Sequence, residues 1–467
     1  MKLSTSATIW SLLLITETLS YPTDLFSQSE PSISSKLASE NSKGYVKFPA
    51  QKRQINELSS DQESTFGSSK SNIKLARCDG DDDPDGYAGT YMRHDDSMYT
   101  VNFTIGSQNQ PITVQVDTGS ADFWIVDTNN SWCAETSQGK GVYNLKPGDD
   151  AKSHNCSIYG TFQPGDSETW VSHPEIFQVT YATNSASGRW GQDTVTLENG
   201  VVIEKVDFGL SDKTNMRHGM LGLGYITNDL YDNLPIIMKK QGLIHKNTYS
   251  LYLNEDYTTN RAAMLLFGGI DHSKYAGDLG LFPIASNHTG LDVFLNGISF
   301  SDGSLVTTIA SGSARVLFDT GNGYTSMPKD ILQPILDRIG AKTQPNGTFT
   351  AECSSLDGLD LTFDFMGFDL TIPVSGFVVL RYGESCKLGF TSTGESNSFS
   401  FGDSFLKNVY FVADLDDDEI ALGLLDADAT CEEDLEAIVG HVPSATPAPS
   451  YSAVYHAPYS LTLASGL

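Results

Sequence analysis

Ile112-Thr113-Val114-Gln115-Val116-Asp117-Thr118-Gly119-Ser120 and Arg315-Val316-Leu317-Phe318-Asp319-Thr320-Gly321-Asn322 read as one device used twice. In each, an apolar run suited to a buried strand delivers an aspartate into a tight turn that contains glycine. The two tripeptides stand 202 positions apart. Two similar halves facing each other across a cleft would bring the carboxylates together. Two carboxylates in one site cannot both ionise cheaply, so one keeps its proton and the other does not. Such a pair is an acid and a base side by side, able to activate water.

Outward from these turns the chain keeps a period of two. Tyr99-Thr100-Val101-Asn102-Phe103-Thr104-Ile105 alternates, Phe123-Trp124-Ile125-Val126 is a second apolar run, and short strands parted by Gly, Asn, Asp and Pro continue to Gly423. Helical signals are few, the best being Leu230 to Gln241 and Lys329 to Ile339, each with a proline near its start. The expected class is therefore mainly β. With 467 residues and 39% hydrophobic content the bulk can bury ordinary cores. A formal net charge of −29 argues against a nucleic-acid partner, which would need clustered Lys and Arg. The plain reading of that charge is a solvated acidic surface; the sharper ones are solubility in acid and attraction of basic substrates.

The first 20 residues, with Lys2 ahead of an apolar stretch from Ala7 to Ile15 and small residues near Ser20, have the layout of a secretory signal. Residues 21–53 read as a pro-segment, with an arm that stays attached as the alternative; they carry five basic against three acidic residues and end in Lys52-Arg53, a dibasic cut site for a processing protease. Their positive charge would let them cover an acidic cleft as an intramolecular inhibitor. The pro-segment ends there or extends to Arg77, and residues 54–98 form an acidic N-terminal segment. Six cysteines without any CxxC favour disulfides over zinc. Proximity pairs Cys133 with Cys156 and Cys353 with Cys386, leaving Cys78 with Cys431 to tie the ends. Sequons at Asn102, Asn129, Asn155, Asn287 and Asn346 agree with a secretory route, Asn102 least so because it lies in a strand-like run. Residues 432–467 read as a flexible tail, free of the glycolipid-anchor pattern because His456 and Pro458 interrupt it. The product is expected outside the cell, free or wall-associated.

Asp117-Thr118-Gly119-Ser120-Ala121-Asp122-Phe123-Trp124 resembles the N-terminal active-site segment of pepsin-like aspartic proteases, and the likeness runs from Tyr99 to Leu424. It implies a bilobal fold of two pseudo-twofold-related β lobes, residues 99–290 and 291–431, around a central cleft. It also implies that Asp117 and Asp319 are the catalytic pair, that substrates are polypeptides, and that the enzyme is an endopeptidase that needs no cofactor or metal and works as a monomer. Phe177 to Ser185, with Gly188 and Gly191 to Val195 on the return, looks like the family's flap, and Tyr181 matches its tyrosine. The phenol is expected to meet Trp124, and backbone from Ala182 to Ser185, including Thr183, to grip the substrate as an added strand. Met220-Leu221-Gly222 and Ser400-Phe401-Gly402 match the Gly-ended segments that cross behind each aspartate. Thr118 and Thr320 would bond across the lobes, while Ser120 and Asn322 occupy the places of hydroxyls that bond the outer carboxylate oxygens.

Four departures stand out. Ala182 and Asn184 replace flap glycines, Ser400 replaces an aliphatic residue and is expected to bond its own backbone, and Asn322 replaces a hydroxyl. A non-catalytic binding protein on this fold would lose an aspartate, a turn threonine or the flap tyrosine; all are kept here. The nine histidines are scattered without an HExxH, and no G-x-S-x-G marks a nucleophilic serine. Within the family the dibasic site, the disulfide loop and the acidity look most like the yapsin and candidapepsin group, and yapsin likeness implies cutting after Lys or Arg. Thr183 stands where candidapepsins usually carry an aspartate.

Overall fold

A computed structural model describes residues 46–49, 51–52, 98–133, 156–226, 230–253, 263–394, 396–426, 433–456 and 459–464. They form three large β assemblies. The first half folds into an eight-stranded sheet ordered Gln51–Lys52, Tyr99–Ile105, Gln110–Asp117, Gly219–Gly222, Phe123–Val126, Val202–Thr214, Ser185–Leu197, Val171–Thr180. Tyr99–Ile105 also pairs with Ser185–Leu197, so the sheet curls back on itself. The alternation seen in the sequence is realised: Val101, Phe103 and Ile105 are buried while Asn102 and Thr104 are partly exposed.

The second half repeats the central part of this plan. Gln110–Asp117 runs parallel to Gly219–Gly222, with Asp117 opposite Gly222; Val306–Phe318 runs parallel to Phe399–Phe401, with Phe318 opposite Phe401. In each case a third strand, Phe123–Val126 or Thr325–Met327, lies antiparallel on the far side of the crossing segment. This repeat is the internal symmetry that the twin tripeptides announce, and the molecule is a mainly β, bilobal pepsin-like fold. The glycines that end the crossing segments are there because backbone passes within contact. A Cβ on Gly222 would lie 2.4 Å from the Ala121 carbonyl carbon, and one on Gly402 would lie 1.7 Å from the Asn322 carbonyl oxygen.

A seven-stranded sheet mixes material from both halves in the order Val46–Pro49, Met264–Phe267, Thr248–Tyr252, Val409–Asp414, Glu419–Leu425, Tyr275–Pro283, Ala445–Pro447. It has its own cluster of buried side chains, including Tyr252, Leu266, Leu281, Tyr410 and Val412. Of the helices, Lys329–Ile339 stands where expected and buries Ile331, Leu332, Ile335, Leu336 and Ile339. The other is shorter than expected, Leu234–Lys240, because Asn233 is extended and Pro235 fits only the first turn.

The segment after Cys431 is not the flexible tail that its composition implies. Leu435–Ala437 pairs with Gly269–Asp271, Ala445–Pro447 adds in parallel to Tyr275–Pro283, and Ser460–Leu463 pairs with Val306–Phe318. Backbone hydrogen bonding at sheet edges, which composition does not record, holds it. Cys133–Cys156 and Cys353–Cys386 are disulfide-bonded as expected. The proposed Cys78–Cys431 bridge and Asn155 lie outside the described residues. Asn129, Asn287 and Asn346 are exposed. Asn102 argues against itself as a glycan acceptor: its amide donates to Glu198 Oε1 and accepts from Thr113 Oγ1 within the sheet.

Candidate active site

The two Asp-Thr-Gly turns meet. A Cβ on Gly119 would fall 2.4 Å from Asp319 Oδ1, and one on Gly321 would fall 2.6 Å from Asp117 Oδ1, so each carboxylate lies over the other lobe's glycine. A cross-lobe lattice holds this arrangement. The Thr118 amide donates to Thr320 Oγ1 and the Thr320 amide to Thr118 Oγ1, each at 3.0 Å. The hydroxyls donate onward, Thr118 to the Phe318 carbonyl and Thr320 to the Val116 carbonyl, each at 2.9 Å. Both threonines are fully buried, so no water competes for these bonds.

The carboxylates differ in what they receive. Asp117 accepts from the Gly119 amide at 2.9 Å through Oδ1 and from the Ser120 hydroxyl at 2.5 Å through Oδ2. Asp319 accepts from the Gly321 amide at 2.9 Å, and among the described residues no side chain outside the dyad donates to it. Burial pushes the Asp319 carboxyl up to about 7, with the negative charge of Asp117 adding to the effect. Burial raises Asp117 as well, opposed by its donors Ser120 and Gly119.

Asn322 does not take the hydroxyl's place. Its Nδ2 donates to Ser326 Oγ and to Ser400 Oγ, both at 3.0 Å, and its Oδ1 accepts from the Tyr324 amide. Ser400 therefore serves as Asn322's partner instead of capping its own backbone. Two departures that look unrelated in sequence are the two ends of one hydrogen bond. Sequence reading also missed Ser326, whose signal is only its spacing of four from Asn322. Removing either end leaves a partly buried polar group short of a partner, so Asn322→Ala and Ser400→Ala should each cost about 1–2 kcal/mol in urea unfolding. The double variant should cost less than their sum, and strict additivity would show that the pair is not coupled.

Val171–Thr180 and Ser185–Leu197 form the overhanging hairpin, with Thr180 opposite Ser185 and the Tyr181 amide bonded to the Asn184 carbonyl at 2.8 Å. Trp124, fully buried, donates its indole N–H to the Tyr181 hydroxyl at 2.8 Å. Burial raises the Tyr181 phenol, which keeps it neutral. Neither Ala182 nor Asn184 has a positive φ, so the missing glycines introduce no strain. Asn184 adds a tether, accepting from Asn215 Nδ2 at 3.0 Å while Asn215 Oδ1 accepts from the Ser185 amide. Ala182 and Thr183 at the tip are exposed.

Residues 98–425 match the family described as eukaryotic aspartyl protease. The chain belongs to this family. It is similar to Aspartic proteinase 3 of Saccharomyces cerevisiae, 31% identical over 440 residues covering 79% of this chain and 76% of that one. Aspartic proteinase yapsin-3 of the same yeast is 29% identical over 394 residues, 79% and 73% of the two chains. Secreted aspartic protease 3 of Candida albicans is 32% identical over 338 residues, 69% and 78%. The relatives place this aspartyl protease in the yapsin and candidapepsin group, and its activity is that of an aspartic endopeptidase on polypeptides.

Proposed function

We propose that Asp117 and Asp319 are the catalytic dyad of this aspartyl protease, with Asp117 as the base and Asp319 as the acid. The observation that carries the reading is the crossed placement of each carboxylate over the opposite glycine, with a side-chain donor, Ser120, on Asp117 in addition to the turn amide that each aspartate receives. The Asp117 anion takes a proton from water, and the oxygen attacks the scissile carbonyl carbon. Asp319 gives its proton to the carbonyl oxygen, producing a neutral tetrahedral diol. Collapse of the diol returns a proton to Asp319, breaks the C–N bond, and releases the amine with the proton held by Asp117. Thr118 and Thr320 keep the carboxylates in register, and Tyr181, Ala182 and Thr183 close over the bound strand. Cleavage of denatured casein in mild acid, stopped by a peptide carrying a secondary alcohol in place of the scissile carbonyl, tests this; unaffected cleavage would overturn it. Trp124→Phe deletes the bond that anchors Tyr181 and should lower kcat/KM by about tenfold, the worth of one hydrogen bond.

The enzyme is made as a zymogen and leaves the cell, free or wall-associated. Support comes from the signal-like first 20 residues, the two disulfides, and relatives named as secreted proteases. Val46–Pro49 and Gln51–Lys52, immediately ahead of Arg53, pair with Met264–Phe267 and Tyr99–Ile105. A cut at Arg53 thus leaves a segment still bound by backbone hydrogen bonds, as an inhibitor that must be displaced. The excess of acidic residues favours substrates with Lys or Arg before the cut. In a mixed peptide library these two should dominate that position, and an apolar preference would remove this part of the proposal.

A further inference from the structure

At the turn between Val409–Asp414 and Glu419–Leu425, Asp417 and Glu419 come together with His441 from the C-terminal segment. One ligand atom from each lies within 4.8 Å of the others. Glu419 is only 7% exposed, and its Oε2 has no hydrogen-bond partner among the described residues, while Oε1 accepts from the Tyr451 hydroxyl. A buried carboxylate oxygen left bare is costly unless something positive meets it. The local charges point the same way. Lys246 Nζ serves Asp414 Oδ2 at 2.5 Å, Asp417 Oδ2 at 2.7 Å and the Gly440 carbonyl at 2.8 Å. Lys246 thus pairs with Asp414 and Asp417 but makes no bond to Glu419, whose carboxylate has no cation against it among the described residues. The same lysine pins Gly440 to the turn, which fixes the backbone next to His441.

We propose that Asp417, Glu419 and His441 bind a divalent transition-metal ion of the zinc type. One imidazole with two carboxylates suits such an ion, whereas calcium and magnesium favour all-oxygen shells. Tetrahedral ligands about 2.1 Å from a zinc stand roughly 3.4 Å apart. His441 Nδ1 already lies 3.4 Å from Asp417 Oδ2, and its side chain, 86% exposed, is free to turn inward for the remaining closure. Water would fill the fourth position. The ion would tie the segment carrying His441 and Tyr451 to the seven-stranded sheet, and this role does not depend on the catalytic reading above.

The full chain, stripped with chelator and titrated with cobalt chloride at neutral pH, should bind one equivalent with a visible d–d band that zinc chloride displaces. The bound ion should raise Tm. His441→Ala, at an exposed position that leaves the fold intact, should weaken binding at least tenfold and remove the rise in Tm, with casein cleavage unchanged as a control for folding. Glu419→Gln should weaken binding in the same way. Absence of the band in the unmodified chain, or equal affinity in His441→Ala, would overturn the proposal.

Discussion

Asp117→Asn and Asp319→Asn should each fold, yet each should lose turnover by at least about 10³-fold. Either change leaves the site without a base or without an acid, and general acid–base transfer is worth about 10²–10⁴. The fold survives because neither carboxylate holds the lobes together. That task belongs to Thr118 and Thr320, whose reciprocal bonds use backbone amides and hydroxyls only. The two variants should still be distinguishable. Asp117→Asn puts an NH2 in place of one of the two oxygens that accept from the Gly119 amide and the Ser120 hydroxyl, whereas Asp319→Asn mimics the protonated acid of the proposed mechanism. Purified variants compared by circular dichroism and by casein cleavage check this, and residual cleavage within tenfold of the parent would refute the dyad assignment.

The second large effect is set by pH. The proposed dyad works with one proton, so kcat/KM should follow a bell whose alkaline limb falls near 7, where Asp319 would deprotonate. Stability should follow the same group. The Asp319 carboxyl titrates at about 7 when folded against its ordinary 3.8, so between these values the folded chain binds more protons than the unfolded chain. Unfolding free energy therefore falls with rising pH across that window: the contribution is complete below about 3.8 and lost as pH passes about 7. The raised Asp117 carboxyl acts in the same direction. Tm measured from acid to neutral pH should drop for the parent and drop much less for Asp319→Asn. Asn322→Thr offers a further check. A hydroxyl reaching Asp319 would favour its anion and move the alkaline limb to lower pH, and an unmoved limb would mean that the hydroxyl does not reach it.

The strands and the twin turns were legible because each rests on a local pattern, such as the alternation in Tyr99–Ile105, whereas the crossing segments that end in Gly222 and Gly402 were legible only through family likeness. The bond from Tyr181 to Trp124 was legible only through family likeness, since the partners are 57 positions apart. The Asn322–Ser400 bond spans 78 positions and showed itself only as two odd residues. The strands after Cys431 escaped notice for another reason. Ala445–Pro447 joins a parallel edge through its backbone, and its Ala-Thr-Pro sequence offers one β-branched residue, no aromatic and a proline, too little to mark a strand.

That late strand bears on how the molecule is made. The sheet it completes opens with Val46–Pro49 and closes with Ala445–Pro447, so its two edges are synthesised 399 residues apart (445 − 46). During translation the first lobe can pair most of its strands alone, but the Thr118 lattice waits for Thr320, and the shared sheet waits for the last of its strands. A chain of such high contact order gathers slowly and leaves strand edges bare while it does so. Until those partners arrive, the unpaired edges are the surfaces of the growing chain most open to wrong pairing.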